Sequence, residues 1–300
     1  MFFDDYDTPV FRPPSEARSF ILRLTRGCAH NKCTYCAMYK GVQFQVCTDE
    51  EISRQIAMAA QENYKPYVKR IFLADGDALV LPTEKLVKIL GVLYATFPNL
   101  QRVTSYAGPL DILRKSDEDL KALYEAGLKI LYYGMETGDT KLLAEVKKGV
   151  NQEQSIAAGQ KVVRSGMKLS MMVIAGLGGK DGSEQHARET AKAINAIEPN
   201  FLSILTMRLY KGTEMLAKYE HGAFELLSPY GLAKEIRTII SLTEFSPGKH
   251  CLFRSNHVSN YVPLAGTLPQ DKNKLLQELD EAMVELSQLT DWDVYTNMEY

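Results

Sequence analysis

The sequence predicts an α/β fold: a partial (β/α)6 TIM-type barrel followed by a C-terminal extension. Three observations lead there. Short apolar, β-rich runs alternate with longer helical patterns along most of the 300 residues. The intervals between runs hold one helix and two loops, as repeated parallel βα units require. The six runs show no obvious strand-order reversal. A doubly wound sheet uses the same alternation, so periodicity alone leaves both architectures open.

The strands are expected over Ser19–Thr25, Arg70–Asp75, Arg102–Tyr106, Lys129–Gly134, Lys168–Ala175 and Phe201–Met207. The helices between them carry boundary signals. Thr48 with Glu51, and Ser116 with Asp119, have the spacing of capping boxes. Gly127 and Gly166 stand where a helix ends before the next strand. Past Gly248 the alternation stops in an irregular stretch rich in Asn, Ser, Pro and Gly, and a last helix is expected over Gln270–Leu289. The chain is therefore divided into an N-terminal arm (1–18), the barrel (19–248) and a C-terminal extension with a terminal helix (249–300).

Composition narrows the function classes. With 45% apolar and 24% charged residues the chain reads as an ordinary globular protein. A net charge of −2 supplies no global basic field for nucleic acid. The sequence contains no apolar run of bilayer length, and its acidic start lacks the plan of a signal peptide. A cytoplasmic location without membrane or nucleic-acid partners is expected.

Three of the five cysteines, Cys28, Cys33 and Cys36, fall within nine residues directly after the first strand. That is the strand end at which barrel active sites form. Such clustering argues for metal or redox chemistry over a disulfide framework. His30 could complete a Cys₃His zinc site, which would suit a non-catalytic zinc-binding protein. Alternatively, three thiolates could hold an iron–sulfur cluster with one iron left open, serving either electron transfer or catalysis.

At this point the sequence resembles the radical S-adenosylmethionine (SAM) superfamily, in a variant with four residues, not three, between the first two cysteines. The resemblance implies a [4Fe–4S] cluster on Cys28, Cys33 and Cys36, with SAM on the open iron and His30 reduced to a loop residue. The extra residue should appear as a local bulge in the cluster loop. Tyr35 and Met38 correspond to the residues beside the adenine. Asp75-Gly76-Asp77 stands where the family holds the SAM ammonium group. Tyr133-Gly-Met-Glu-Thr-Gly138 matches the segment whose glutamate, here Glu136, reaches the ribose. Ile174-Ala-Gly-Leu-Gly-Gly179 matches the segment whose backbone approaches the adenine, at Gly176.

The resemblance further implies an enzyme driven by a flavodoxin- or ferredoxin-type reductant. Reductive cleavage of SAM would yield a 5′-deoxyadenosyl radical that abstracts hydrogen from substrate. No stretch before the first strand is long enough for a cobalamin domain, and no basic β-domain follows the barrel, so a small-molecule substrate is expected. A peptide or macromolecule is the alternative. Arg208 at the sixth strand end, with His257 and Tyr261 in a polar loop, are candidate substrate residues. Cys47 and Cys251 are too few for a second cubane and are read as buried, unreactive thiols.

Overall fold

The computed structural model describes residues 10–289. Residues 1–9 of the expected arm and 290–300 of the expected extension lie outside them. The chain divides into two compact units. The first takes the chain up to Asn31, then Met38–Tyr133 and Lys161–Leu169; the second takes Lys32–Ala37, Gly134–Gln160 and the chain from Ser170 onward.

The first unit is built on parallel strands. β1 (Phe20–Arg23) precedes a small antiparallel ribbon of β2 (Thr25–Arg26) and β3 (Gln45–Val46), which flanks the cysteine loop. Next come α1 (Asp49–Ala59), β4 (Arg70–Ala74), α2 (Thr83–Thr96), β5 (Arg102–Tyr106), α3 (Pro109–Arg114) and α4 (Asp117–Glu125). β6 (Leu128–Glu136) belongs to this unit up to Tyr133. The registers Arg23↔Ala74, Leu73↔Ser105 and Tyr106↔Tyr132 are all parallel. All four residues of β1 are buried, as expected where both faces of a parallel sheet are covered.

Both expected capping boxes are present, Thr48 with Glu51 on α1 and Ser116 with Asp119 on α4. Phe72, Tyr106 and Tyr132 pack edge to face with ring centroids 5.0 to 6.2 Å apart. Glu16, within the expected N-terminal arm, is fully buried. It accepts from the Tyr132 hydroxyl at 2.6 Å and from Arg102 at 3.2 Å.

The second unit continues the alternation. α5 (Thr140–Glu145) and α6 (Gln152–Arg164) lead to β7 (Lys168–Ala175), α7 (Gly179–Ile197), β8 (Phe201–Thr206), α8 (Glu214–Glu220) and α9 (Pro229–Leu242). β7 and β8 pair in parallel from Ser170↔Phe201 to Ala175↔Thr206.

The stretch past Gly248 differs from its irregular reading. β9 (Cys251–Ser255) is parallel to β8, and β10 (Leu264–Leu268) turns back antiparallel to β9, ahead of α10 (Lys272–Leu286). Inward Cys251, Phe253 and Ser255 alternate with exposed Leu252 and Arg254. This two-residue period is short, and the surrounding turn residues hide it. α9 packs on both α7 and α10. Among the described residues, no helix is long and apolar enough to cross a membrane.

Candidate functional site

In the first unit the site begins with an ion pair. Arg23 closes β1 and Asp75 follows β4; Nε lies 2.6 Å from Oδ2 and Nη2 3.1 Å from Oδ1, with both side chains buried. Burial raises the Asp75 carboxyl above its ordinary range, and the guanidinium opposes that rise. α1 fixes the other partner, since Gln55 bonds both the backbone N–H and the carbonyl of Arg23 at 2.9 Å. Asp75 itself adopts a left-handed φ of 72°, a conformation that costs energy outside glycine.

Gly76 lies against the first cysteine. Its N–H donates to the Gly27 carbonyl at 3.0 Å, and a Cβ placed on it would stand 2.6 Å from Cys28 Cα and 3.0 Å from Sγ. The loop after Cys28 folds back on itself. Asn31, at φ 40°, points its N–H at Cys28 Sγ from 3.4 Å, and its side chain donates to the Tyr39 carbonyl. The longer spacing is thus taken up by a turn ending at a residue type that tolerates positive φ.

Asp77 acts as a cap. Its Oδ1 accepts from Leu79 N at 2.7 Å and its Oδ2 from Gly108 N at 2.5 Å, joining the turn after β4 to the end of β5. Burial, and then the Asp111 carboxylate, push its carboxyl well above the usual range. Met38 is half-buried.

The second unit holds Cys33, Tyr35 and Cys36. Thr34 is clamped on both sides, its N–H donating to Val146 O and its carbonyl accepting from Met215 N, each at 3.0 Å. This seats the Tyr35 ring among Leu142, Val146, Leu177, Met207 and Leu209, with Cys33 and Cys36 packed against the same cluster. Burial first, then Glu136, keep the Tyr35 phenol protonated far above its ordinary range. Among the described residues no three His, Cys, Asp or Glu side chains stand close enough to share one metal ion. Each thiolate of a cubane instead takes its own iron.

Glu136 ends β6 at φ 67°, and its carboxylate folds back over Gly134, where a Cβ would come within 2.1 Å of Oε1. Lys148 Nζ meets that oxygen at 3.0 Å, with each side chain 12% exposed. Gly176, at φ 82°, donates its N–H to Glu235 Oε1 at 2.6 Å.

Burial, and then the Arg208 charge, lower the affinity of His257 for a proton. The His257 loop is tied to β8 by Asn260, which donates to Ile204 O and Ser255 O at 2.8 Å and accepts from Thr206 Oγ1 at 2.9 Å; Arg208 lies just past the end of β8. Tyr261 follows, half-buried. Cys47 and Cys251 are buried; burial pushes the Cys251 thiol up to about 12.

Sequence reasoning missed Lys148, His186 and Glu235. His186 lies on the buried stripe of α7 with Thr190, Ile194 and Ile197, and Glu235 on that of α9 with Leu232, Ile236 and Ile239. A titratable residue on an apolar helical stripe is a signal that periodicity could have exposed. Lys148 sits in a KKG turn and carries no such signal.

The model of the radical SAM superfamily matches residues 22–194. Two uncharacterized proteins of Methanocaldococcus jannaschii are similar to this chain. One is 27% identical over 67% of this chain and 64% of its own length; the other is 24% identical over 75% and 58%. The chain thus spans less than two thirds of either. Among solved structures, methylornithine synthase aligns with TM-score 0.51 at 16% identity, over 75% of this chain and 63% of that one. The radical SAM methyltransferase TsrM from Kitasatospora setae, with cobalamin and a [4Fe–4S] cluster bound, aligns with TM-score 0.54 at 18% identity, over 68% and 39%. These likenesses place the fold with the partial barrels, and the matched segment contains the cysteine loop and the ends of β1, β4, β6 and β7. The chain belongs to the radical SAM superfamily, whose characteristic cofactors are a [4Fe–4S] cluster and SAM.

Proposed function

We propose that Cys28, Cys33 and Cys36 hold the cluster, and that the enzyme cleaves SAM reductively to abstract hydrogen from a small-molecule substrate. The donor set supports this assignment. Three soft thiolates suit iron, Cys28 Sγ receives a backbone N–H at 3.4 Å, and a glycine leaves room for it. When bound, the cluster supplies the electron that breaks SAM into methionine and a 5′-deoxyadenosyl radical.

The protein's own residues hold and orient. Glu136, steadied by Lys148, accepts the ribose hydroxyls. Tyr35 and Met38 lie beside the adenine, and the Gly176 turn lets the backbone approach it. The Asp75–Asp77 turn presents backbone carbonyls to the SAM ammonium group; Asp77 holds the turn by its two caps. The single observation behind a small substrate is the polar loop carrying His257 and Tyr261, which Asn260 ties to β8 next to the Arg208 segment. Arg208 offers a cation to an anionic group, while His257 and Tyr261 offer hydrogen bonds. Ser259 N donates to His257 Nδ1 at 3.2 Å, so the neutral ring carries its proton on Nε2. A flavodoxin- or ferredoxin-type protein in the cytoplasm would deliver the electron.

Anaerobic reconstitution tests the assignment. About four irons per chain and 5′-deoxyadenosine formed from SAM are expected, with both lost in Cys33→Ala. Bound zinc without SAM cleavage overturns it. Transfer of label from a deuterated metabolite into 5′-deoxyadenosine identifies a small substrate; transfer only from labelled peptides or macromolecules overturns that part.

A further inference from the structure

We propose that His186 and Glu235 are positioning residues that lock together the two strand ends receiving the ribose and the adenine of SAM. The inference rests on the SAM-binding roles given above to Glu136 and Gly176.

The two strand ends meet at one buried polar cluster. Glu235 sits on α9 with its carboxylate fully enclosed. One oxygen accepts from Gly176 N at 2.6 Å and the other from the Ser183 hydroxyl on α7. His186 Nε2 faces the first of these oxygens at 3.5 Å, longer than an ordinary hydrogen bond. On its other edge, His186 Nδ1 lies 2.7 Å from Thr137 Oγ1, directly after Glu136. Thr190, one turn further along α7, accepts from Gly138 N at 3.0 Å. The cluster from Glu136 through Thr137, His186 and Glu235 to Gly176 thus lies at the start of α7 without an exposed member between Thr137 and Glu235.

These residues are poorly explained as core filling. A carboxylate and an imidazole are among the groups most disfavoured in a dry interior, and apolar residues of similar volume would pack there at lower cost. What they supply is direction. Gly176 holds φ 82°, where its N–H turns inward onto Glu235. Glu136 is also left-handed, at φ 67°, one residue before the threonine that His186 bonds. α7 presses on the same segment, since a Cβ on Gly138 would come within 2.2 Å of the Glu189 carbonyl. The Glu136 segment is therefore fastened to α7 and the Gly176 turn to α9, and Ser183 of α7 bonds the same Glu235 carboxylate. A shift of His186 or Glu235 would move the two SAM-facing strand ends relative to each other, and binding tolerates little such misplacement.

The test uses the reconstituted holoenzyme and SAM itself. Glu235→Ala should weaken SAM binding at least tenfold by equilibrium titration, while iron content and cluster absorbance stay at wild-type levels. Glu235→Gln keeps an oxygen for Gly176 and a donor for Ser183, and should return affinity to within about threefold of wild type. A role in stability alone predicts the reverse pattern: a lower melting temperature with unchanged affinity below it. If Glu235→Ala does not fold, Ser183→Ala at a half-buried position carries the test, with a smaller loss of affinity expected. Wild-type affinity in the folded variants overturns the proposal. Glu136→Ala separates it from the reading beneath it: if that variant binds SAM like wild type, the ribose assignment fails, and the positioning proposal fails with it.

Discussion

Lys148 Nζ stands 3.0 Å from Glu136 Oε1, and each side chain is 12% exposed. The lysine comes from the turn after α5 and the glutamate from the last residue of β6. A carboxylate so enclosed is held in one rotamer by its cation and by the tight fold over Gly134. Lys148→Met should therefore free Glu136 and leave its charge unpaired. We expect a stability loss of about 3 kcal/mol and a SAM affinity reduced about tenfold, with cluster content unchanged. Titration with SAM beside a denaturation curve checks both, and undiminished affinity would remove Lys148 from the site.

Gly76 and Gly91 make an opposed pair. A methyl group on Gly76 meets Cys28 at 2.6 Å from Cα and 2.7 Å from Cβ, so the cysteine must be displaced. In Gly76→Ala the expected outcome is a folded chain with most of its iron and its visible absorbance lost. Gly91 lies inside α2 with nothing within 4 Å of its added Cβ. Gly91→Ala should raise stability by about 1 kcal/mol and leave the iron content as it was.

Arg23 and Asp75 give a third expectation. Removing the guanidinium in Arg23→Met strands a buried carboxylate beneath the cysteine loop, which should cost about 3 to 5 kcal/mol. Removing both charges in Arg23→Met with Asp75→Asn should recover a large part of that loss. A double variant as unstable as the single one would show that the carboxylate is not the source of the penalty.

How much of this was legible follows from the kind of signal each residue carries. β1 and β4 are buried almost throughout and read as short apolar runs, whereas β5 (RVTSY) is legible more by its β-formers and its spacing. β5 and β7 occupy the expected spans, while β6 gains residues at both ends. β9 is legible only as the alternation of Cys251, Phe253 and Ser255, which five residues among turn formers do not make conspicuous. Within the site, cysteine spacing is a covalent pattern and survives in one dimension. The partners of Glu136 and Gly176 come from 12 and 59 residues away, joined only by folding. Asp77 shows the converse: its position in a motif was legible, but its use of both oxygens as caps was visible only in three dimensions.

The last expectation concerns pH. Burial raises Glu235 from 4.5 to about 7 and lowers His186 from 6.5 to about 4, while Asp139 tempers the latter. Between pH 4.5 and 7 the unfolded chain has released the Glu235 proton and the folded chain keeps it, so this group makes stability fall as pH rises. Between pH 4 and 6.5 the unfolded chain has bound a proton on His186 and the folded chain has not, so this group makes stability rise. The two slopes are opposed, each about 1.4 kcal/mol per pH unit, and they largely cancel between pH 5 and 6.5. Single substitutions should uncover them. Glu235→Gln leaves the histidine alone, and its stability relative to wild type should climb from pH 5 to 6.5. His186→Gln leaves the carboxylate alone, and its relative stability should decline from pH 5 to 6.5, above which both proteins lose stability alike. Lys180, Glu184, Glu225 and Lys234, which line the opening beside Glu235, are common to both variants and drop out of the comparison. Denaturant midpoints of the two variants at pH 5, 6 and 7 decide it; parallel profiles would mean that neither group titrates against its burial.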